Sequence, residues 1–522
     1  MTSAPAADRV VIVGAGPVGL LLACELARAR VPVVVVERLA RPMTESRASQ
    51  LTALTAELLH ERGFDGLLGE AAHEPRGHFA GLGFDLSGLD SEYAGNWKVP
   101  QYRTEAALGE RAEALGATLL RAHELTEVVE LPDRVVCGVE APGGHRRIEA
   151  RYLVGCDGAR STVRRLCGFA VSAAEASKEL LRADVTGIRI RDRRFERLPD
   201  GFAVAATRGG VTRVMVHAFG RGATERTGPP EFEEIVRVWA RVTGEDISEG
   251  TAVWRDAFDN SRGQADAYRR GRVLLAGDAA HWHMPIGGQA LNTGLQDAVD
   301  LGWKLAGTMN GWAAPGLLDG YHADRHPVAA RVLDHVAAQE SLMLGGAGIE
   351  PLRAVLSELV GLDEVGAHLA RTAANLDVWY GPDGPWPTGR RVPNLRTRAG
   401  DLPRAPGPAT EPFIVRLRPT VRLRPTVRLR PTVRSEAPAW GDDRFPIPTI
   451  HAADDEGLFP GISTLLMRPD GYVAWAGDDE DDLNEAIGRL VRVEGARVEG
   501  ARREDMRSEH RRAEGGRGNA RL

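Results

Sequence analysis

The stretch RVVIVGAGPVGLLLACELARARVPVVVVER, residues 9–38, predicts a β-strand, a tight glycine turn, an α-helix and a second strand. Residues 10–13 and 33–36 are apolar and mostly β-branched, as strands buried on both faces require. Between the first strand and the helix, three glycines form the pattern G-x-G-x-x-G: Gly14, Gly16 and Gly19. This order predicts a Rossmann-like βαβ unit that binds a dinucleotide.

The acidic residue at the end of the second strand narrows the choice of dinucleotide. A carboxylate at Glu37 can hydrogen-bond a ribose hydroxyl and would repel a 2′-phosphate. Gly16 lets the backbone approach a pyrophosphate, and Gly19 lets the helix pack closely on the sheet. The unit therefore favours FAD or NAD over NADP, and these residues alone leave FAD and NAD open.

Two later stretches repeat the order of strand, glycine turn and helix. RYLVGCDGARSTVRR begins at residue 151 and contains Asp157 and Gly158, and GRVLLAGDAAHWHMPIGGQALNTG begins at residue 271. Asp157 has two open roles, a contact to the dinucleotide or a cap on the helix that follows. In the third stretch we expect a helix capped by Asn292 and Thr293. Three such turns suit one long ligand better than NAD.

The combined pattern of G-x-G-x-x-G, D-G and G-D resembles the FAD-dependent aromatic hydroxylases of the para-hydroxybenzoate hydroxylase type. The third stretch is particularly similar to the branch that hydroxylates aromatic polyketides, including the angucycline hydroxylases. The resemblance covers about residues 8–390, with a weaker match near the carboxyl end. It implies that residues in two groups contact FAD. Near the pyrophosphate and adenosine these are Gly14, Gly16, Pro17, Val18, Gly19, Glu37, Arg38, Arg47, Gln101, Asp157 and Gly158. Near the ribityl chain and the ring they are Gly277, Asp278, Pro285, Gly287, Gly288, Gln289, Ala290, Leu291 and Asn292. Ala290 departs from the family, which usually has glycine there.

The resemblance also implies a reaction. NAD(P)H reduces the bound FAD, the reduced flavin takes up O2 as a C4a-hydroperoxide, and hydroxyl is delivered to a phenolic ring of a polycyclic polyketide in antibiotic biosynthesis. Because the chain has one G-x-G-x-x-G, NAD(P)H is expected to bind transiently. We assign no catalytic side chain, since a phenol can ionise unaided. Two alternatives stay open, a Baeyer–Villiger oxygenase and a flavoprotein that binds and protects a polyketide without net oxidation.

The expected fold is α/β, with a Rossmann-like FAD-binding domain and an interleaved antiparallel sheet for the substrate. We expect the FAD-binding domain over 1–75, 100–171 and 267–383, and the sheet over 76–99 and 172–266. By resemblance, a thioredoxin-like domain spans 384–490; it lacks CxxC, since no cysteine follows Cys167. Within it, 415–434 is an arginine-rich hexad repeat, interpreted as a surface excursion or as a patch for an anionic partner. Residues 491–522 are expected to be disordered.

Composition limits the remaining functions. The chain has 522 residues, a net charge of -6 and four cysteines, which argues against nucleic-acid binding and against a disulfide framework. Without a signal peptide or an apolar stretch of ~20 residues, we expect a cytoplasmic protein with no membrane contact. His281 and His283 form H-x-H, but no further ligands lie nearby in sequence, so packing or a cavity wall is favoured over a metal site. The oligomeric state stays open, a homodimer included.

Overall fold

The computed structural model describes residues 8–44, 48–381, 385–392, 410–419, 447, 449–454 and 459–492. Arg47, residues 420–434 of the hexad repeat and the tail from 493 onward lie outside the described residues. Of the described helices, none has an apolar stretch long enough to cross a bilayer.

The described helices, in chain order, are α1 Pro17–Arg28, α2 Ala53–Glu61, α3 Asp65–Gly69, α4 Gln101–Ala114, α5 Thr162–Leu166, α6 Phe232–Thr243, α7 Gln289–Asn310, α8 Gly320–Leu344, α9 Glu350–Val360, α10 Asp363–Ala373 and α11 Glu480–Leu490. The described strands are β1 Val10–Val13, β2 Val33–Glu37, β3 Ala72–Glu74, β4 Arg76–Phe79, β5 Leu82–Asp85, β6 Asn96–Lys98, β7 Thr118–Arg121, β8 Glu124–Glu130, β9 Val135–Ala141, β10 Gly144–Ala150, β11 Tyr152–Gly155, β12 Val171–Ala174, β13 Glu179–Thr186, β14 Arg193–Leu198, β15 Gly201–Arg208, β16 Val211–Ala218, β17 Thr251–Asp259, β18 Arg262–Ala265, β19 Arg269–Arg270, β20 Val273–Leu275, β21 His281–Trp282, β22 Phe413–Pro419, β23 Thr449–Asp454, β24 Thr464–Met467 and β25 Val473–Gly477.

A six-stranded sheet has the order β19-β20-β11-β1-β2-β7. The strands from β20 to β7 are parallel, and β19 is antiparallel to β20. All four residues of β1 are buried, because β1 has neighbours on both sides and helices cover a parallel sheet on both faces. The predicted strand, turn, helix and strand of residues 9–38 are confirmed. Because β1, β11 and β20 are parallel neighbours, the three glycine turns leave the sheet at the same edge.

A five-stranded antiparallel sheet has the order β14-β15-β16-β13-β17. Helix α6 packs on it, so the expectation that the whole of 172–266 forms the sheet is wrong. The signal was present, since four buried residues recur at i, i+3, i+4 and i+7: Ile235, Val238, Trp239 and Val242. Apolar and polar residues alternate in the flanking strands, which obscured the change from the period of a strand to that of a helix. The strand pairs β3-β6 and β4-β5 form separate two-stranded ribbons.

The described residues divide into two compact units, and the smaller contains 307–318 and the described residues from 411 onward. Its four-stranded sheet has the order β23-β22-β24-β25. After residue 462 this unit continues with β24, a turn, β25 and α11.

The surface-excursion interpretation is wrong for the start of the hexad repeat. Residues 415–419 belong to β22, which pairs with β23 on one side and β24 on the other. Val415 and Leu417 are buried. The period of two in V-R-L-R places alternate apolar residues on one face, so this first unit fits a strand.

Candidate functional site

The first glycine turn packs directly against the second. A Cβ added to Gly14 would lie 2.4 Å from the carbonyl oxygen of Cys156, and the φ of Gly14 is +104°. The Gly14 amide donates to the Val36 carbonyl at 2.8 Å. Only glycine fits here, because a side chain would meet backbone atoms in a backbone conformation that L-residues rarely adopt.

The amino end of α1 offers space and unsatisfied amides. A Cβ added to Gly16 would meet no atom within 4 Å, and no described side chain caps the helix there. A Cβ on Gly19 would lie 2.1 Å from the Gly14 carbonyl oxygen, so helix and turn are in close contact. Open space beside a helix amino end fits a pyrophosphate.

The Glu37 carboxylate is held beside this turn by two backbone amides. Its Oε2 accepts from the Ala15 amide and its Oε1 from the Leu39 amide, both at 2.8 Å. Each oxygen keeps a second lone pair, so the group can still accept a ribose hydroxyl. Arg38 is exposed beside it.

Gln101 begins α4 and joins it to the segment that follows Arg47. Its side-chain Oε1 accepts from the Ala48 backbone amide at 3.2 Å, and its backbone amide donates to the Ala48 carbonyl at 2.9 Å. This pairing holds the entry of that segment next to the start of α4.

Asp157 acts as a helix cap. Its Oδ2 accepts from the amides of Thr162 at 2.6 Å and Val163 at 3.0 Å, and its Oδ1 accepts from the Ser161 hydroxyl at 2.5 Å. Ser161 is the N-cap of α5 and its hydroxyl accepts from the Arg164 amide. The structure thus shows one of the two open roles of Asp157, while its contact to FAD stays a prediction.

Arg164 connects the second and third turns. Its guanidinium donates to the carbonyl oxygens of Ala279 at 2.8 Å and Ala159 at 2.5 Å. It also lies 4.4 Å from the ring centroid of Trp282, in a cation–π contact.

A buried carboxylate, Asp297, organises the third turn. Its Oδ2 accepts from the Gly277 amide at 3.0 Å and lies 2.6 Å from His281 Nε2, and its Oδ1 accepts from Arg325 Nε at 2.7 Å. Burial alone would raise the pKa of Asp297, but the charges of His281 and Arg325 hold it below the usual carboxyl value. His281 is thus buried against Asp297, in agreement with the packing interpretation, and the hydrogen bond from Gly277 fixes the backbone that precedes Asp278.

Asp297 was not predicted from the sequence, although the glycine turn that it holds was. Arg325 also donates to the Tyr380 hydroxyl at 3.0 Å and to the Thr293 carbonyl at 3.1 Å, and the Tyr321 hydroxyl donates to the Leu275 carbonyl at 2.8 Å. Acidic residues in the apolar face of a predicted helix were the available signal, because a buried charge needs a partner.

The segment after Pro285 turns through two consecutive glycines. Gly287 and Gly288 have φ values of +73° and +70°, and α7 begins at Gln289. Asn292 lies inside this helix, where its side chain accepts from the Thr52 amide at 2.9 Å and donates to the Gly288 carbonyl at 2.7 Å. The predicted cap at Asn292 and Thr293 is therefore wrong, because the glycine turn lets the helix start earlier.

The remaining residues assigned to this segment take fixed positions. Gln289 Nε2 donates to the Ala373 carbonyl at 3.0 Å, and its Oε1 accepts from Asn375 Nδ2 at 2.9 Å. Ala290 and Leu291 form the first turn of α7, while Pro285 is exposed. The side chains of Gln289 and Asn292 therefore hold the turn in place.

A cavity of about 620 Å³ borders the five-stranded sheet. Its lining includes Trp254 and Phe258 from β17, and Met43 and Arg160 from the loops after β2 and β11. Arg182 lies 4.5 Å from the ring centroid of Trp254. Two aromatic residues of β17 thus line one cavity together with residues from loops of the six-stranded sheet.

Comparison with known proteins gives concordant matches. The FAD binding domain family matches residues 8–336, and the aromatic-ring hydroxylase C-terminal family matches residues 386–493. The chain is 39% identical over 497 residues to the 12-dehydrotetracycline 5-monooxygenase/anhydrotetracycline 6-monooxygenase of Streptomyces rimosus subsp. rimosus, covering 92% of this chain and 97% of that protein. It is 39% identical over 385 residues to the dialkyldecalin synthase of Streptomyces rugosporus, covering 72% of this chain and 82% of that protein. The crystal structure of CabE, an aromatic hydroxylase from angucycline biosynthesis, matches with a TM-score of 0.81 and 39% identity, covering 92% of this chain and 98% of that one.

Proposed function

Because this chain belongs to the FAD-binding aromatic-ring hydroxylases, we propose that it hydroxylates a phenolic ring of a polycyclic aromatic polyketide in antibiotic biosynthesis. The protein is an FAD-dependent aromatic monooxygenase that uses NAD(P)H. Bound FAD supplies the redox chemistry, and the protein supplies orientation and shielding from water. We propose O2 as the co-substrate.

The observation that carries this proposal is the cavity beside the five-stranded sheet, whose lining combines Trp254 and Phe258 with polar residues and with Arg160, which follows the second glycine turn. Its volume of about 620 Å³ lies within the ~300–1,000 Å³ range of small-molecule sites, and Trp254 and Phe258 offer flat apolar surfaces to fused rings. Met43 and Arg160, from the loops after β2 and β11, also line it, and we propose that FAD lies on that side. A planar phenol bound there would lie between the aromatic side chains and the loops proposed to carry FAD.

The residues present fit FAD. The open space at Gly16 and the uncapped amides of α1 suit the pyrophosphate, and Glu37 suits the adenosine ribose. We propose that Asp278 binds the ribityl chain and that residues 285–292 line the ring. These residues bind and orient the cofactor, while Asp297, Asn292 and Gln289 hold the loops that present them.

A second candidate function has specific support. The dialkyldecalin synthase is as similar to this chain as the tetracycline monooxygenase is, at 39% identity over a shorter stretch. Its name describes ring formation, so a flavoprotein that binds a polyketide without net oxidation is the alternative. Baeyer–Villiger oxidation of a polyketide ketone would use the same cavity.

One experiment separates these candidates. The purified, FAD-bound protein is incubated with tetracyclic phenols, NAD(P)H and isotope-labelled oxygen, and NAD(P)H oxidation and product mass are followed. Hydroxylation predicts substrate-stimulated NAD(P)H oxidation and one labelled oxygen atom on an intact ring system. Conversion of a ketone to a labelled ester would indicate Baeyer–Villiger chemistry, and conversion without NAD(P)H oxidation would contradict both oxygenases. A protein that never acquires absorbance near 450 nm would refute the flavin assignment.

Other features stay proposals that rest on the sequence. We propose the domain boundaries expected from the sequence, a thioredoxin-like carboxyl-terminal domain that lacks thiol chemistry, and a cytoplasmic location. Transient NAD(P)H binding is also proposed, because the chain has one G-x-G-x-x-G. Sedimentation of the FAD-bound protein would determine whether it forms a homodimer.

A further inference from the structure

Lys98 and Gln50 form a pair beside the Gly287–Gly288 turn. An antiparallel bridge between Leu51 and Trp97 brings the two segments together, and Lys98 Nζ lies 2.7 Å from Gln50 Oε1. Because an ammonium group only donates hydrogen bonds, the amide oxygen of Gln50 must face Lys98. The amide nitrogen of Gln50 therefore points to the other side.

That other side is the glycine turn. A Cβ added to Gly288 would lie 3.0 Å from Gln50 Nε2, and the Gln50 carbonyl accepts from Asn292 Nδ2 at 3.2 Å. Among the described residues, none accepts a hydrogen bond from Gln50 Nε2. The structure thus presents a free donor beside the backbone that is proposed to line the flavin ring.

Lys98 is a half-buried cation without a close counter-ion. Within the described part of the chain, no carboxylate lies within 4.0 Å of its Nζ. Burial, together with the charges of Arg194 and Arg208, lowers the pKa of Lys98 to about 8, although Glu74 opposes the shift. At neutral pH the side chain is still mostly protonated. A hydrogen bond to a charged group polarises the Gln50 amide and makes its nitrogen a stronger donor.

We propose that Gln50 Nε2 donates to a carbonyl oxygen of the flavin's pyrimidine ring, and that Lys98, acting through Gln50, stabilises reduced FAD over oxidised FAD. The inference rests on the proposed placement of the ring along residues 285–292. Reduction adds negative charge to that ring, so a strengthened donor binds the reduced form more tightly. Lys98 is thus a positioning residue, and Gln50 is the one that contacts the cofactor.

The test is the midpoint potential of bound FAD at pH 7, which needs no substrate. Lys98→Met is expected to weaken binding of reduced relative to oxidised FAD about tenfold, which for a two-electron couple lowers the potential by about 30 mV. Lys98→Arg keeps the charge and the donor, and should stay near the wild-type value. The matched control is Lys178→Met, which removes the ammonium that pairs with Glu340 at 2.7 Å and should leave the potential unchanged.

Gln50→Leu decides whether the effect passes through the amide. It should lower the potential as well, and adding Lys98→Met to it should cause little further change, because the two residues act as one unit. An unchanged potential in Lys98→Met, or full additivity of the two substitutions, would overturn the relay. If the variants bind FAD and its potential is unchanged, only the relay is refuted and the proposed hydroxylase function stands. A protein that never binds FAD would refute the proposed function itself.

Discussion

Replacing Asp297 with asparagine should strongly destabilise the FAD-binding part of the chain. The carboxylate and the Arg325 guanidinium are both fully buried, 2.7 Å apart. Asparagine can still accept one hydrogen bond, but it leaves the arginine charge uncompensated. Breaking a buried ion pair by removing one partner costs about 3–5 kcal/mol. Since a domain is stable by only about 5–15 kcal/mol, this change removes a large share of its stability.

The same substitution should also loosen the cofactor site. Asp297 holds the Gly277 amide and His281, so its loss frees the backbone on both sides of Asp278. A site binds its ligand more weakly when the residues that hold its contacting groups in place can move. We therefore expect weaker FAD retention in addition to the lower stability.

The loss of stability caused by Asp297→Asn should depend on pH in a defined direction. Although burial raises the pKa of Asp297, the charges of His281 and Arg325 bring it below the usual carboxyl value. A lowered folded-state pKa means that this carboxylate stabilises the fold above the unfolded pKa near 4, and that its contribution is lost as pH falls through the folded value. The difference between wild type and variant should be full at pH 7 and shrink in acid.

Urea unfolding followed by tryptophan fluorescence measures this difference, and gel filtration followed by flavin absorbance measures FAD retention. The matched control is Asp133→Asn, which breaks an exposed aspartate–arginine pair, 3.0 Å from Arg134; exposed pairs contribute about 0–1 kcal/mol. If the Asp297 variant unfolded at the same urea concentration as the Asp133 variant, the buried ion pair would not stabilise the fold in the way its burial and geometry require.

Gly14→Ala should abolish FAD binding, because its Cβ would lie 2.4 Å from a backbone oxygen of the second turn. Gly16→Ala should fold normally and bind FAD more weakly. Equal FAD release from both variants would contradict the geometry. Ser161→Ala removes an N-cap and should cost about 0.5–2 kcal/mol in urea unfolding. Burial lowers the pKa of His78 and His283 to about 4, whereas unfolded histidine titrates near pH ~6.5. The free energy of unfolding should therefore fall from pH ~6.5 to pH ~4, and replacing both with glutamine should flatten that slope.

Much of the fold follows from local patterns. A strand buried on both faces needs a run of apolar residues, so 10–13 and 33–36 were identifiable without tertiary information. A turn that packs backbone on backbone needs glycine, so the position of Gly14 was readable too. Helix α6 shows where prediction from local patterns fails, because the alternating pattern of the neighbouring strands obscured its helical period.

The pairing of distant polar groups is different in kind. Asp297 meets Arg325, and Lys98 meets Gln50, across separations of 28 and 48 residues. The residues next to each of them in sequence do not identify its partner, because the path of the intervening helices and strands decides which side chains meet. The sequence by itself determined the parallel unit and the three glycine turns, since these need only local residue types. Only the tertiary structure decided that Asp157 caps a helix, that Asp297 holds the third turn and that a cation lies behind Gln50, because desolvation makes such contacts depend on position in the folded chain.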